Sequence, residues 1–347
     1  MIYHFKLLGV LTLATLASSL VPTLNATAAA ATNRVATTLP SSLSSNLPLL
    51  RLHFSVPTKA SSLPRLPIKP SLATKWQQIG QNDVQAVALE SLRPATAYTF
   101  STPTEVRCAT VCTFLALRPH VASVSTNLTW EAQLLAELNY LPVAFTPAMT
   151  PIDPSQQVNG TFTWSYPNLP ASLSSQWRLG GDNVILHAAM MTFQSQSSLP
   201  VTGESNAATW SGLMTAVAAN KVNPAPYNYV VISTSSPETL TMYVAGHATF
   251  HALVNTGISV APTALGTYPV YQRYLTQTMS GTNPDGTHYS DPGIPWVSYF
   301  NGGDALHGFL RSTYGWPQSL GCVEMTFNSA KTVFPHTPIG TLVTVRA

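Results

Sequence analysis

The spacing of hydrophobic positions changes from one part of the chain to the next, and with it the kind of element expected. Over residues 130–140, Trp130, Leu134 and Leu138 recur at helical spacing, with Leu141 continuing the same side. A second helix is expected over 184–194, with Ile185, Ala188, Ala189 and Phe193 inward, and a third begins at Asn206. Beyond Pro226 the pattern becomes β-branched and aromatic: residues 229–233 and 239–244 read as strands separated by a Ser/Pro turn, and Ala245-Gly246 turns the chain back into 248–255. Residues 268–271 and 341–345 add strands, and a short helix near 328–334 precedes the last one. The expected fold class is a mainly β domain with a short helix, over 226–347, preceded by a small, mostly α-helical domain over 126–220.

The N-terminal third follows neither pattern. Lys6, an apolar stretch over 7–21 and the small residues Ala26-Thr27-Ala28 have the form of an export signal, placing a signal peptide at 1–28. Fifteen apolar residues fall short of the roughly 20 that a membrane helix needs. No later segment is apolar enough to span, so the body is expected outside the cytoplasmic membrane, either secreted or in the cell wall or periplasm. Residues 29–75 are rich in Ser, Thr, Pro and Leu, with Leu-Pro steps at Leu39-Pro40, Leu47-Pro48, Leu63-Pro64 and Leu66-Pro67. Proline restricts its predecessor and removes a donor, so this stretch reads as an extended linker or arm. Residues 76–125 carry no decisive pattern and are expected to pack on the later domains.

Charge adds a constraint. Only 8% of residues are Asp, Glu, Lys or Arg, against about 25% in an ordinary soluble domain. The net charge of +3 gives no electrostatic reason to expect nucleic acid as a partner. Scarce carboxylates fit a protein facing acid, where ionised Asp and Glu pairings are lost on protonation; a bland compositional bias explains them equally simply.

The candidate chemistry lies near the C-terminus. Of three cysteines, Cys108 and Cys112 are near enough to form a disulfide if their segment turns, leaving Cys322 as a free thiol. Cys322 follows Gly321 in a loop-like setting, fifteen positions after His307. A thiol and an imidazole brought together are the minimum equipment for acyl transfer through a covalent intermediate. His288 and His336 have no companions at ligand spacing, so neither a metal nor another cofactor is expected.

Residues 227–347 resemble the L,D-transpeptidase catalytic domain of the YkuD type, a wall cross-linking family. The resemblance rests on Pro262-Thr263-Ala264-Leu265-Gly266-Thr267, the Met279-Ser280-Gly281 turn, the aromatic segment 296–300 followed by Ala305-Leu306-His307-Gly308, and Ser319-Leu320-Gly321-Cys322-Val323 before a short helix. Two positions depart from the family: Leu320 replaces the usual histidine before Gly-Cys, and Glu324 the usual Asn or Arg two after the cysteine. The helical stretch is similar to a peptidoglycan-binding domain through Gln133, Leu138, Asn139 in a glycine place, Tyr140, Phe193-Gln194, Thr202-Gly203, Thr209-Trp210 and Leu213, although its segment 142–183 is longer than that pattern allows.

The resemblance implies a YkuD-like β-sandwich and an exported enzyme that joins peptidoglycan stem peptides, with Cys322 as nucleophile, His307 as base and the Gly308 backbone orienting the imidazole. An imidazolium beside Cys322 would lower the thiol pKa. Gly321 and Cys322 amides, with Tyr289, would stabilise the oxyanion while Ser319 braces the loop. Met279, Trp296, Tyr299 and Trp316 would line the peptide cleft, and Arg311 would meet a substrate carboxylate. Transfer to water would make a carboxypeptidase, and loss of the chemistry would leave a wall-binding structural protein.

Overall fold

The computed structural model describes residues 28–35, 38–39, 48–90, 92–108, 111–124, 127–147 and 157–347; the expected signal peptide lies outside the described residues except for its last position. The first unit is an eight-stranded sheet of β1 (Ala28–Val35), β2 (Thr38–Leu39), β3 (Pro48–Phe54), β4 (Ile68–Lys69), β5 (Thr74–Gln78), β6 (Asp83–Ala88), β7 (Ala97–Cys108) and β8 (Cys112–Val124). Strand β1 pairs with β7 over its first residues and with β3 over the rest, carrying the sheet from one half to the other. Alternation along β3 sends Leu50, Leu52 and Phe54 inward to meet Tyr98, Phe100 and Val106.

This corrects the reading of 29–75 as a linker or arm. Six of its leucines are core residues: Leu49, Leu50, Leu52, Leu63, Leu66 and Leu72 are all buried in one cluster. Residues 76–125 likewise complete this sheet, with β7 and β8 forming its long hairpin. Cys108 and Cys112 face one another at the hairpin tip and are bonded, with S–S 2.10 Å.

Next come α1 (Leu128–Glu137), the hairpin β9 (Val143–Thr146) and β10 (Thr161–Trp164), and then α2 (Ala171–Ser174), α3 (Val184–Gln196) and α4 (Ala207–Ala218). Each long helix starts on an asparagine whose side-chain oxygen accepts first-turn N–H groups: Asn127 from Trp130, Asn183 from Leu186, and Asn206 from Ala208 and Thr209. These caps satisfy donors that have no partner within the helix. Trp130 and Trp210 meet edge to face at 4.9 Å in the middle of the helical packing.

The third region holds two sheets. One has the order β13 (His247–Leu253), β12 (Thr239–Val244), β11 (Asn228–Ser233), β19 (Leu342–Arg346) and β14 (Gly266–Pro269); the other runs β15 (Gln272–Thr282), β16 (His288–Asn301), β17 (Asp304–Gly308) and β18 (Val323–Met325). Helix α5 (Phe327–Val333) packs beside β17. Val230, Ile232, Val343 and Val345 meet Phe300, Leu306, Val323 and Met325 between the two sheets.

The helices do not close a core of their own, which corrects the expectation of a separate helical domain. Alternate residues of β11 face opposite ways, so Val230 and Ile232 join the core between the sheets while Tyr229 and Val231 join Trp130, Leu134, Phe193 and Trp210. A strand buried on both faces reads as an unbroken apolar run, as Tyr229-Val230-Val231-Ile232 does. Polar contacts lock the junction: Tyr229 donates to Thr344 Oγ1 at 2.6 Å, its hydroxyl lies 3.0 Å from Ser172 Oγ, and Thr192 donates to the Ile339 carbonyl at 3.2 Å.

The residues that carried the wall-binding similarity are used inside this packing. The Gln194 amide donates to Thr202 Oγ1, the Glu204 carbonyl and Thr209 Oγ1, while its oxygen accepts from the Thr202 and Gly203 amides. Gln133 exchanges hydrogen bonds with the Val158 backbone, tying down the longer segment. Their role is thus to fasten loops to helices.

Candidate active site

The loop between β17 and β18 is built around Gly321. Its φ of +116° suits glycine, and a Cβ there would collide with the Asp304 carboxylate. Ser319 donates to the Cys322 carbonyl at 2.5 Å and accepts from the Gly321 amide at 3.2 Å, while Thr263 donates to the Gly321 carbonyl at 2.7 Å. A second layer supports the first: the Thr256 carbonyl accepts from the Gln318 and Ser319 amides, and buried Glu238 grips Thr256 through its amide at 2.6 Å and its hydroxyl at 2.7 Å.

Parallel pairing of β17 with β18 puts His307 beside Glu324, and Cys322 stands two positions before Glu324, immediately ahead of β18. His307 is buried and its Nδ1 lies 3.1 Å from the Gly308 carbonyl. A carbonyl only accepts, so in the neutral ring Nδ1 carries hydrogen and Nε2 is left as the base. Cys322 donates to the Gly303 carbonyl at 3.5 Å and receives the Ala305 amide, so the sulfur lies against the edge of β17 on either side of Asp304.

Electrostatics here run against the expected imidazolium–thiolate pair. Burial pushes the Cys322 thiol up to about 12, with Asp304 and Glu324 adding to the shift and the Ala305 amide opposing it. Burial also pushes His307 down, opposed chiefly by the hydrogen bond to Gly308. Burial thus favours the neutral form of both groups; the neighbouring carboxylates reinforce it for the thiol and oppose it for the imidazole.

Other expected site residues divide into three groups. Met279 and Tyr299 pack in the small cluster that includes Cys322, and the thiol also acts electrostatically on Tyr289 and Tyr299. Met279-Ser280-Gly281 lies within β15 rather than at a turn, and Gly281, opposite Tyr289, leaves room for its ring. Arg311, expected to meet a substrate carboxylate, is committed to Glu324 through Nε and Nη2, each 2.8 Å from a different oxygen. This fork explains why a buried Glu is tolerated two after the cysteine. Trp296 packs its ring against Phe327 and the core between the sheets, not a cleft, and Trp316 is half-exposed on the loop before Ser319.

Sequence reasoning passed over Asp304, Glu238 and Thr256. Asp304 had a signal, standing three before His307 after Asn301-Gly302-Gly303, a turn that fixes where the strand begins. Glu238 had none, being far from the motif along the chain.

Residues 227–345 match the family model of YkuD, the L,D-transpeptidase catalytic domain. This segment is a YkuD domain. Among solved structures, an L,D-transpeptidase from Mycobacterium smegmatis is similar at 10% identity with a TM-score of 0.32, covering 92% of this chain and 99% of that one. The catalytic domain of the E. faecium L,D-transpeptidase is 23% identical over 36% of this chain and 100% of its own, with a TM-score of 0.32. An L,D-transpeptidase from Stackebrandtia nassauensis is 21% identical, with a TM-score of 0.28, over 51% of this chain and 86% of its own. No curated protein matches the chain. Among the described residues of the YkuD domain and the rest of the chain, no helix is long and apolar enough to cross a membrane.

Proposed function

We propose that the protein is an exported L,D-transpeptidase that cross-links peptidoglycan by cysteine acyl transfer. What supports this reading is the β17–β18 pairing, which sets His307 opposite Glu324, two residues after Cys322, with the histidine ring oriented by the Gly308 carbonyl. Cys322 attacks the carbonyl that precedes the terminal D-alanine of a donor stem peptide. Because thiol and imidazole rest neutral, the S–H proton passes to His307 Nε2 as the C–S bond forms, leaving its contact with Gly303. The imidazolium then protonates the departing D-alanine amine, and the thioester passes to an amine of a second stem peptide.

The Gly321 amide is held by Ser319, so the Cys322 amide and the Tyr289 hydroxyl are the donors assigned to the oxyanion. Leu320 is no obstacle in this scheme, since the proton route uses His307 alone. Arg311 acts by keeping the Glu324 carboxylate paired beside the reacting sulfur. Export follows from the signal read at 1–28, which brings the enzyme to its wall substrate.

A carbapenem, whose strained lactam imitates the acyl donor, tests the chemistry directly. Incubation of the folded protein is expected to add the drug's mass at Cys322, and Cys322→Ala to abolish both the adduct and cross-linked muropeptide products in mass spectrometry. Absence of an adduct on folded wild type would falsify the reading, and products ending at the acyl carboxylate alone would make the enzyme a carboxypeptidase.

A further inference from the structure

Two carboxylates act on the reacting sulfur, and they differ in what surrounds them. Both Glu324 oxygens are taken by Arg311. Among the described residues Asp304 forms no salt bridge, whereas Glu324 is paired with Arg311. Its Oδ2 accepts from the Ala264 amide at 3.1 Å and lies 3.5 Å from Asn301 Nδ2, whereas Oδ1 receives no hydrogen bond from the described residues and occupies the space a side chain at Gly321, the residue before the nucleophile, would fill. The sulfur in turn contacts the carbonyl and the amide on either side of Asp304. A half-buried carboxylate with one unused oxygen beside a thiol is a place for a cation.

The proposed reaction brings one there. An acceptor amine is an ammonium ion at neutral pH and has no lone pair with which to attack. Conversion of an ammonium and a thioester into an amide and a thiol removes two protons from the nitrogen, one of which ends on the sulfur. Through neutral Nε2, His307 can carry that proton, but the other needs a separate acceptor.

Resting on the transferase reading of this site, we propose that Asp304 receives the acceptor's ammonium group and takes its first proton through Oδ1. The N–H bond breaks to give the free amine and a neutral Asp304 carboxyl, which later releases its proton to water. The amine nitrogen then bonds to the thioester carbon, its second proton passes to His307, and the C–S bond breaks as the imidazolium protonates the sulfur. Burial raises the Asp304 pKa, which makes its carboxylate a better proton acceptor than an exposed aspartate. Asp304 thereby distinguishes amine acceptors from water, a neutral nucleophile that gains nothing from a carboxylate partner.

The test is competition between two nucleophiles on the full-length protein. A tetrapeptide donor is supplied at neutral pH with a diamino acid, which is cationic, and with hydroxylamine, which is not, and both products are counted by mass spectrometry. Asp304→Asn retains an oxygen to accept from Ala264 but loses the charge. It is expected to lower the ratio of diamino acid product to hydroxylamine product by roughly ten- to a hundred-fold, the worth of one charged hydrogen bond. Asp304→Glu, which restores the charge, is expected to recover part of that ratio. Because the ratio is taken within one sample, it is insensitive to the fraction of a variant that folds. An unchanged ratio in Asp304→Asn would overturn the assignment and leave Asp304 as a brace for Ala264. Failure of wild type to form either product would be a distinct result, removing the transferase reading itself.

Discussion

The N-terminal sheet and the helices that follow it solve the problem of burial in different ways. The sheet completes its own core: β3 and β6 on one half and β7 on the other supply a cluster drawn entirely from residues before 125. It meets α4 across an open cavity of about 470 Å³ lined by Arg93, Ser211, Met214, Thr215, Ala218 and Ala219. The helices have no such independence, because their core includes Tyr229, Val231 and Leu342 from the YkuD sheet. An attached domain and an extension of the catalytic fold can thus look alike as segments upstream of a motif. What separates them is whether the far side of a catalytic strand is needed to complete the core.

The sharpest way to break this comparison is to open a cavity in each core. Trp210 and Phe54 are both fully buried, and replacing either with Ala is expected to cost about 3–5 kcal/mol. Trp210→Ala should lower the denaturation midpoint at which carbapenem acylation of Cys322 is lost. Phe54→Ala should shift a separate transition and leave that midpoint in place. A shift of the acylation midpoint by Phe54→Ala would show that the units unfold together.

A smaller effect is expected from pH. Glu131, in the first turn of α1, is buried with Oε2 unpartnered, and burial raises its pKa to about 7, with Asp182 adding to the shift and Ser205 opposing it. The folded state therefore holds a proton that the unfolded state releases near its ordinary value of 4.5. Its stabilising contribution is complete below that value and is lost as pH rises through 7, a change of up to about 3 kcal/mol. Denaturant midpoints of the acylation-linked transition at pH 5 and pH 8 should differ in that sense, and Glu131→Gln should flatten the difference. A midpoint that rises with pH would contradict this account of the shared core.

The smallest expected effect is in the N-terminal sheet. The disulfide spans four positions at a hairpin tip, and closing so short a loop stabilises by about 2 kcal/mol in the chain-entropy account. Mild reduction should lower the first transition by that order and leave carbapenem acylation rates as they were. A change in acylation would place the hairpin in contact with the catalytic unit's energetics.

The sequence made some of this legible and hid the rest for physical reasons. Strands β11 and β19 showed themselves because β-branched runs fit a strand buried on both faces, β12 because it alternates, and the Cys322 loop because glycine and serine flank a lone thiol. The N-terminal sheet was obscured by its prolines, which argued for an extended arm while Leu63 and Leu66, each followed by one, were in fact core residues. Within the site, Cys322, His307 and the Gly308 carbonyl were visible as a motif. The pairing of Arg311 with Glu324 was not, because thirteen positions and a strand boundary separate them, and the neutral state of the thiol depends on desolvation that only packing creates.

Tyr229 and Val231, which face the helices from β11, bear on how this enzyme can be handled. If the catalytic region were expressed from Pro226 onward, the back of its sheet would become a solvent-facing apolar patch bearing Tyr229, Val231 and Leu342. Surfaces of that kind drive self-association, so a fragment that keeps this face covered begins at Asn127, the cap of the first helix, and not at the edge of the YkuD match.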